Sequence, residues 1–263
     1  MSVPVTSAAA PSRRTTLWRV ELLRLWRTRR WVALLAVYLL FGLLGPLSAR
    51  YIREILARAG GDITIVAPDP VPADGLAAFV NNASQIGLVV VVIVAALALT
   101  LDARPGLAVF YRTRVRRPAD LVVPRFVVAA SAAALAYLAG LLAAVYETVV
   151  LLGGIDPLDV AMGGLLGMLY LVFAVAVVAL AASRSRSVLA TVGITLGALL
   201  ALPIVGVWAP LGRWLPSALV GAQDALARGV KTPGDYLGAT AVTLVLTVGL
   251  VVLACRLIGR RDL

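Results

Sequence analysis

Long apolar blocks dominate this chain, separated by short polar stretches in which arginine is the commonest charge. Six runs stand out: Trp31 to Ser48, Asn82 to Leu101, Phe126 to Leu152, Val160 to Ala182, Val188 to Trp208 and Tyr236 to Ile258. Each has roughly the 20 residues that about 30 Å of hydrocarbon requires. The apolar residues come in blocks rather than at amphipathic spacing, so they must face lipid or one another. The pattern predicts an all-α membrane protein of six transmembrane helices. Neither an internal repeat nor a heptad seam is visible.

Ahead of the first run the pattern changes. Residues 1–16 are rich in Ser, Thr, Ala and Pro and read as a disordered cytoplasmic tail. From Leu17 to Arg30 the spacing predicts a short amphipathic helix, with Trp18, Leu22, Leu25 and Trp26 on one face and Glu21, Arg24 and Thr28 on the other. Tryptophan and arginine on such a helix suit the headgroup layer. The charged region is too long for a cleaved signal peptide. Two outer segments also carry a pattern. Ala49 to Ala59 extends the first span or lies at the surface. Leu211 to Gly229 is too short and interrupted to cross, and fits a re-entrant or surface helix.

Charge then sets orientation. Eighteen of the 24 basic residues fall in the N-terminal segment, the loop after the second run, the turn after the fourth and the C-terminal tail. The opposite set of loops carries Arg50, Arg53, Arg58, Arg213, Arg228 and Lys231 against eight acids. The positive-inside rule makes the first set cytoplasmic, with both termini on that side of a cell membrane. The net charge of +11 is thereby accounted for by topology, and no nucleic-acid partner is expected.

Composition removes most chemistry. The chain is 61% hydrophobic and 14% charged, against about a quarter charged in soluble domains. With no histidine and the single cysteine Cys255, it offers no metal cluster, disulfide or His-activated nucleophile. Lys231-Thr232 lacks the preceding phosphate loop. No catalytic residue, metal or cofactor is expected in this chain, and it does not read as an enzyme.

Two polar features remain. Glu147 lies inside the third run. With the bilayer midpoint near Gly140 it sits about 7 residues, or roughly 10 Å, outward. It is either an interfacial or helix-pairing carboxylate, or part of a transport path. The loop after the second run reads Asp102-Ala-Arg-Pro-Gly106-Leu-Ala-Val-Phe110-Tyr111-Arg112-Thr-Arg114-Val-Arg-Arg117-Pro118. It is either a positive-inside loop with snorkelling arginines or a docking helix whose apolar residues fit a partner's groove.

An N-terminal helix ending in Arg27-Thr-Arg-Arg30, a cytoplasmic helix opening at Gly106 before arginines and a proline, Pro216 in the last outer segment, and the closing Arg260-Arg261-Asp262-Leu263 resemble the permease subunits of ABC-2 type ABC transporters. The resemblance covers the chain from Leu17 onward, which would then be one permease domain, 17–263. It implies an assembly with ABC ATPase subunits that carry ATP and Mg, and a second permease copy or a related permease. It places the ATPase contacts at Trp18, Glu21 and Arg24 and at Gly106, Phe110, Tyr111, Arg112 and Arg114. The Ser183-Arg-Ser-Arg-Ser187 turn is a further contact candidate. The first, second and fifth spans would line the substrate path, nominating Tyr38, Phe41, Gln85, Thr191 and Thr195, with Glu147 at its exit. The expected cargo is an exported hydrophobic or amphipathic small molecule, such as an antibiotic, a drug or a lipid-like metabolite. Two other readings stay open: a proton-coupled secondary transporter, and a non-transporting membrane assembly partner.

Overall fold

A computed structural model of the chain describes residues 13–59, 69–100 and 118–260. Every regular element among them is helical. Six helices are long and apolar enough to cross a membrane, which makes this a multi-pass membrane protein.

Helix α1 (Arg13–Arg27) starts ahead of the expected Leu17. It does not run straight into the first span. The Thr28 hydroxyl donates to the Arg24 carbonyl at 2.8 Å, and Arg29 takes the left-handed conformation at φ 51°. That conformation costs an L residue about 1–2 kcal/mol, so the bend is imposed by what α1 packs against. The chain resumes as α2 (Arg30–Ala59), which carries the first span and the segment from Ala49 onward as one helix.

The second span is composite. It consists of α3 (Pro72–Asn82), a π-helical turn over Ala83–Gly87 and α4 (Leu88–Leu99). It begins ten residues before the Asn82 expected from hydropathy. Asn81 and Asn82 look like a boundary in the sequence, but the Asn82 amide donates to the Ala78 carbonyl at 2.8 Å and the helix continues. Its true start is marked by Pro72 in the first turn, with Asp74 accepting from the Val71 N–H at 2.9 Å.

The third span, α5 (Ala119–Leu151), likewise starts earlier than Phe126 and contains Pro124 and Arg125. Then follow α6 (Pro157–Arg184), opened by Asp156 accepting from the Leu158 N–H, and α7 (Val188–Gly206). Between Gly206 and the last span the expected single helix is broken up. A turn at Ala209–Gly212, a 3-10 turn at Pro216–Leu219 and α8 (Ala222–Ala227) replace it, as Gly212, Pro216 and Gly221 interrupt any longer helix. The sixth span, α9 (Leu237–Gly259), is entered through a 3-10 turn at Pro233–Tyr236.

Helix α6 is the centre of the bundle: 61% of its spanning stretch is buried, against 17% for α7 and for α9. Helices α2 and α5 cross backbone to backbone, because Gly42 and Gly140 face each other. A Cβ on Gly140 would lie 2.5 Å from the Tyr38 carbonyl oxygen. Close approach through small residues is how membrane helices gain dispersion contacts without a hydrophobic driving force. Around this crossing Tyr38, Leu76, Phe79, Val91, Val175 and Val178 form the core.

Candidate functional sites: a buried ion pair and a lateral cleft

Three arrangements carry polar chemistry. The first joins α1 to the bundle. Glu21 is 8% exposed and Arg125, at the start of α5, is 4% exposed. The Arg125 Nε donates to Glu21 Oε1 at 2.9 Å across 104 residues of sequence, and Arg24 Nη1 lies 3.6 Å from the other Glu21 oxygen. Glu21 thus faces the protein, with Arg24 half-buried beside it and Thr28 exposed. Leu22, Leu23 and Trp26 are exposed, Trp26 at 67%. Trp26 stacks on Trp31 at 4.9 Å. Trp18 and Leu25 are half-buried. A soluble amphipathic helix would present the opposite faces. Sequence reasoning singled out Glu21 and Arg24 but counted Arg125 only as one more positive charge. Its sole hint was a charge next to Pro124 on the flank of an apolar run.

Of the other nominated contact residues, Gly106, Phe110, Tyr111, Arg112 and Arg114 lie outside the described residues. The chain re-enters at Pro118, against the last turn of α9: a Cβ on Gly259 would lie 2.9 Å from the Pro118 ring. Arg184 and Arg186 flank the turn into α7, where the Ser185 hydroxyl donates to the Ser187 carbonyl at 3.0 Å.

The nominated path residues do not converge on one surface. Tyr38 is fully buried, edge-on to Tyr137 at 5.7 Å. Thr191 and Thr195 are also fully buried: the Thr191 hydroxyl lies 3.3 Å from that of Thr100, and the Thr195 hydroxyl donates to the Thr191 carbonyl at 2.8 Å. The Thr100–Thr191 contact joins the first turn of α7 to the C-terminal end of α4, whereas the Thr195 bond stays within α7. Phe41 and Glu147 are half-buried. Gln85 alone among the nominees opens onto a large cavity.

That cavity is the second arrangement, a cleft of about 760 Å³ between the second span, α6, α7 and the 3-10 turn before α8. Tyr170 and Leu199 form its floor, and Ile86, Val89 and Leu200 its exposed walls. Ser84, Gln85 and Ser217 supply its polar side chains besides the largely buried Tyr170.

The third arrangement is at the opposite end of the bundle from Glu21. Arg228 donates from Nη2 to Asp74 Oδ1 at 2.6 Å and from Nε to Asp224 Oδ1 at 2.7 Å, clasping α3 to the segment after α8. These two carboxylates push the guanidinium above its ordinary pKa, chiefly through the hydrogen bond to Asp74. Beneath the clasp Gln223 is buried against Gly163, with neither amide atom hydrogen-bonded to a described residue. In the adjoining turn Asp235 accepts from the Thr232 N–H and hydroxyl, and these bonds hold its carboxyl below the usual range.

No family model matches the sequence, and no curated protein is detectably similar to it.

Proposed function

We propose that the chain is the membrane-spanning subunit of an ATP-driven exporter of the ABC-2 type, working with a separate ATPase and a second permease. Its cargo is a hydrophobic or amphipathic small molecule, and both termini lie in the cytoplasm. One observation carries the reading: the buried Glu21–Arg125 pair fastens α1 to the head of α5. Arg125 lies in the second turn of α5, eight residues after the basic segment 101–117 ends. The two segments that the resemblance assigns to the ATPase are therefore tied to the same helix. A displacement of either is delivered to α5, and through the Gly42–Gly140 crossing to α2. Turning Glu21 inward also leaves the exposed Leu22, Leu23 and Trp26 free to sit among lipid headgroups, so α1 slides along the membrane surface rather than into it.

ATP hydrolysis belongs to the partner; this chain supplies the gate. The test is gentle extraction of the tagged chain, followed by assay of the co-purified material for ATP hydrolysis. The reading expects an ATPase subunit and cargo-stimulated hydrolysis. It further expects charge reversal at Arg112 and Arg114, or Gly106→Pro, to uncouple hydrolysis from export while insertion is kept. A chain that transports without any ATPase, or termini labelled on opposite faces, overturns it.

A further inference from the structure

We infer that the lateral cleft is a binding site for an amphipathic molecule with an uncharged, hydrogen-bonding head and an apolar body, entering sideways from the bilayer. Its size falls in the range of about 300–1,000 Å³ that encloses lipid- and drug-sized ligands. It opens where Ile86, Val89 and Leu200 are exposed on spanning helices, so its mouth faces hydrocarbon rather than water.

The polar groups are sorted to one end. The second span and α7 run in opposite directions. Ser84 and Gln85 therefore lie toward the same end of the cleft as Ser217, while Val89 and Leu196 lie toward the other. A molecule with a polar head and a greasy body fits in one orientation only. Among the described residues no Asp, Glu, Lys or Arg lines the cleft, so a charged head would be desolvated there without a counter-charge from them.

Gln85 gives the strongest pointer to a ligand. Its side chain is exposed into the cleft halfway along a spanning helix, and its amide makes no hydrogen bond to another described residue. A carboxamide facing hydrocarbon is costly unless something satisfies it. Gln85 lies in the π-helical turn over Ala83–Gly87. Ser84, Gln85 and Ile86 of that turn all line the cleft, together with Leu88 and Val89 just beyond it. Single π turns inside α-helices commonly mark functional sites.

The inference rests on the cleft alone and needs no ATPase, so its failure and that of the transport reading are distinguishable. The test uses the purified full chain, with Cys255→Ser as background, in phosphatidylcholine vesicles. The vesicles carry either a diazirine-labelled diacylglycerol, whose head is neutral, or a diazirine-labelled phosphatidylglycerol, whose head is anionic. After illumination, neutral-probe adducts are expected on 84–89 and 196–203 in preference to α9, and anionic-probe adducts are not. Gln85→Leu is expected to lower the neutral-probe yield there by about fivefold, the worth of one neutral hydrogen bond. Leu200→Trp should abolish it by filling the mouth. An unchanged thermal midpoint in each variant shows that the bundle is intact. Equal labelling by both probes, or labelling spread evenly over α7 and α9, means ordinary bilayer contact and overturns the inference. So does a disulfide-linked dimer formed through Val89→Cys, which would mean that a second copy covers the cleft.

Discussion

The two ends of the bundle are each pinned by an arginine bonded to a carboxylate far away in sequence, and the geometry is nearly the same. At one end Arg125 meets Glu21 at 2.9 Å; at the other Arg228 meets Asp74 at 2.6 Å. Burial separates them. The first pair is almost wholly enclosed, whereas the Arg228 and Asp74 side chains are 38% and 36% exposed. An enclosed pair is costly to form and costlier to break, because removing one partner strands the other charge. An exposed pair exchanges protein contacts for water and is worth little. The Glu21–Arg125 end is therefore an all-or-none fastening, and the Arg228 end a soft one.

The largest expected effect follows from that difference. Glu21→Ala or Arg125→Ala should each destabilise the packing of α1 on α5 by about 3–5 kcal/mol, read as a fall in the thermal unfolding midpoint in detergent. Loss of protease protection at Thr28–Arg29 should accompany it, since α1 would no longer be held across the bend. A change within experimental error in both variants would mean that the pair is not the fastening.

A sharper form replaces both partners. Glu21→Leu with Arg125→Met keeps side-chain volume and removes both charges, so its stability should lie within about 1–2 kcal/mol of the parent. If the pair matters for coupling rather than for stability, this double variant should still fold and yet lose cargo-stimulated ATP hydrolysis in the reconstituted assembly. Full coupling would reduce the pair to a packing device.

Weaker effects are expected at the other end. Arg228→Ala should cost no more than about 1 kcal/mol, because water replaces the lost contacts. That cost should shrink further in high salt, whereas the Glu21 effect should not. A loss at Arg228 as large as that at Glu21 would erase the distinction. It would also imply that the buried, unbonded Gln223 amide beneath the clasp depends on Arg228 to keep α8 in place.

How much of this was legible in the sequence depends on what kind of partner each residue has. The six spans were, because a block of apolar residues cannot be solvated wherever it folds. The starts of the second and third spans were misplaced, since Asn82 and Arg125 look like loop residues until their partners are known. Asn82 finds one four residues back, but Arg125 finds its carboxylate 104 residues away, beyond the reach of any periodicity. Gln85 was legible only as a polar residue in an apolar span. That it shares a cleft with Ser217 follows from packing, and the π turn in which it lies has no signature in Ala83-Ser-Gln-Ile-Gly87.

The smallest effect concerns acid. Asp235 has its folded pKa lowered by the Thr232 N–H and hydroxyl, so its bonds stabilise the turn into α9 at pH values above the ordinary carboxylate pKa of about 3.9. That contribution fades as pH falls through the lower folded value. Limited proteolysis between Gly229 and Pro233 should accelerate below about pH 4, and Asp235→Asn should show the turn's share of that sensitivity already at neutral pH. Cleavage that does not accelerate on acidification, or an Asp235→Asn variant cut no faster than the parent at neutral pH, would show that the bonds from Thr232 do not hold this turn.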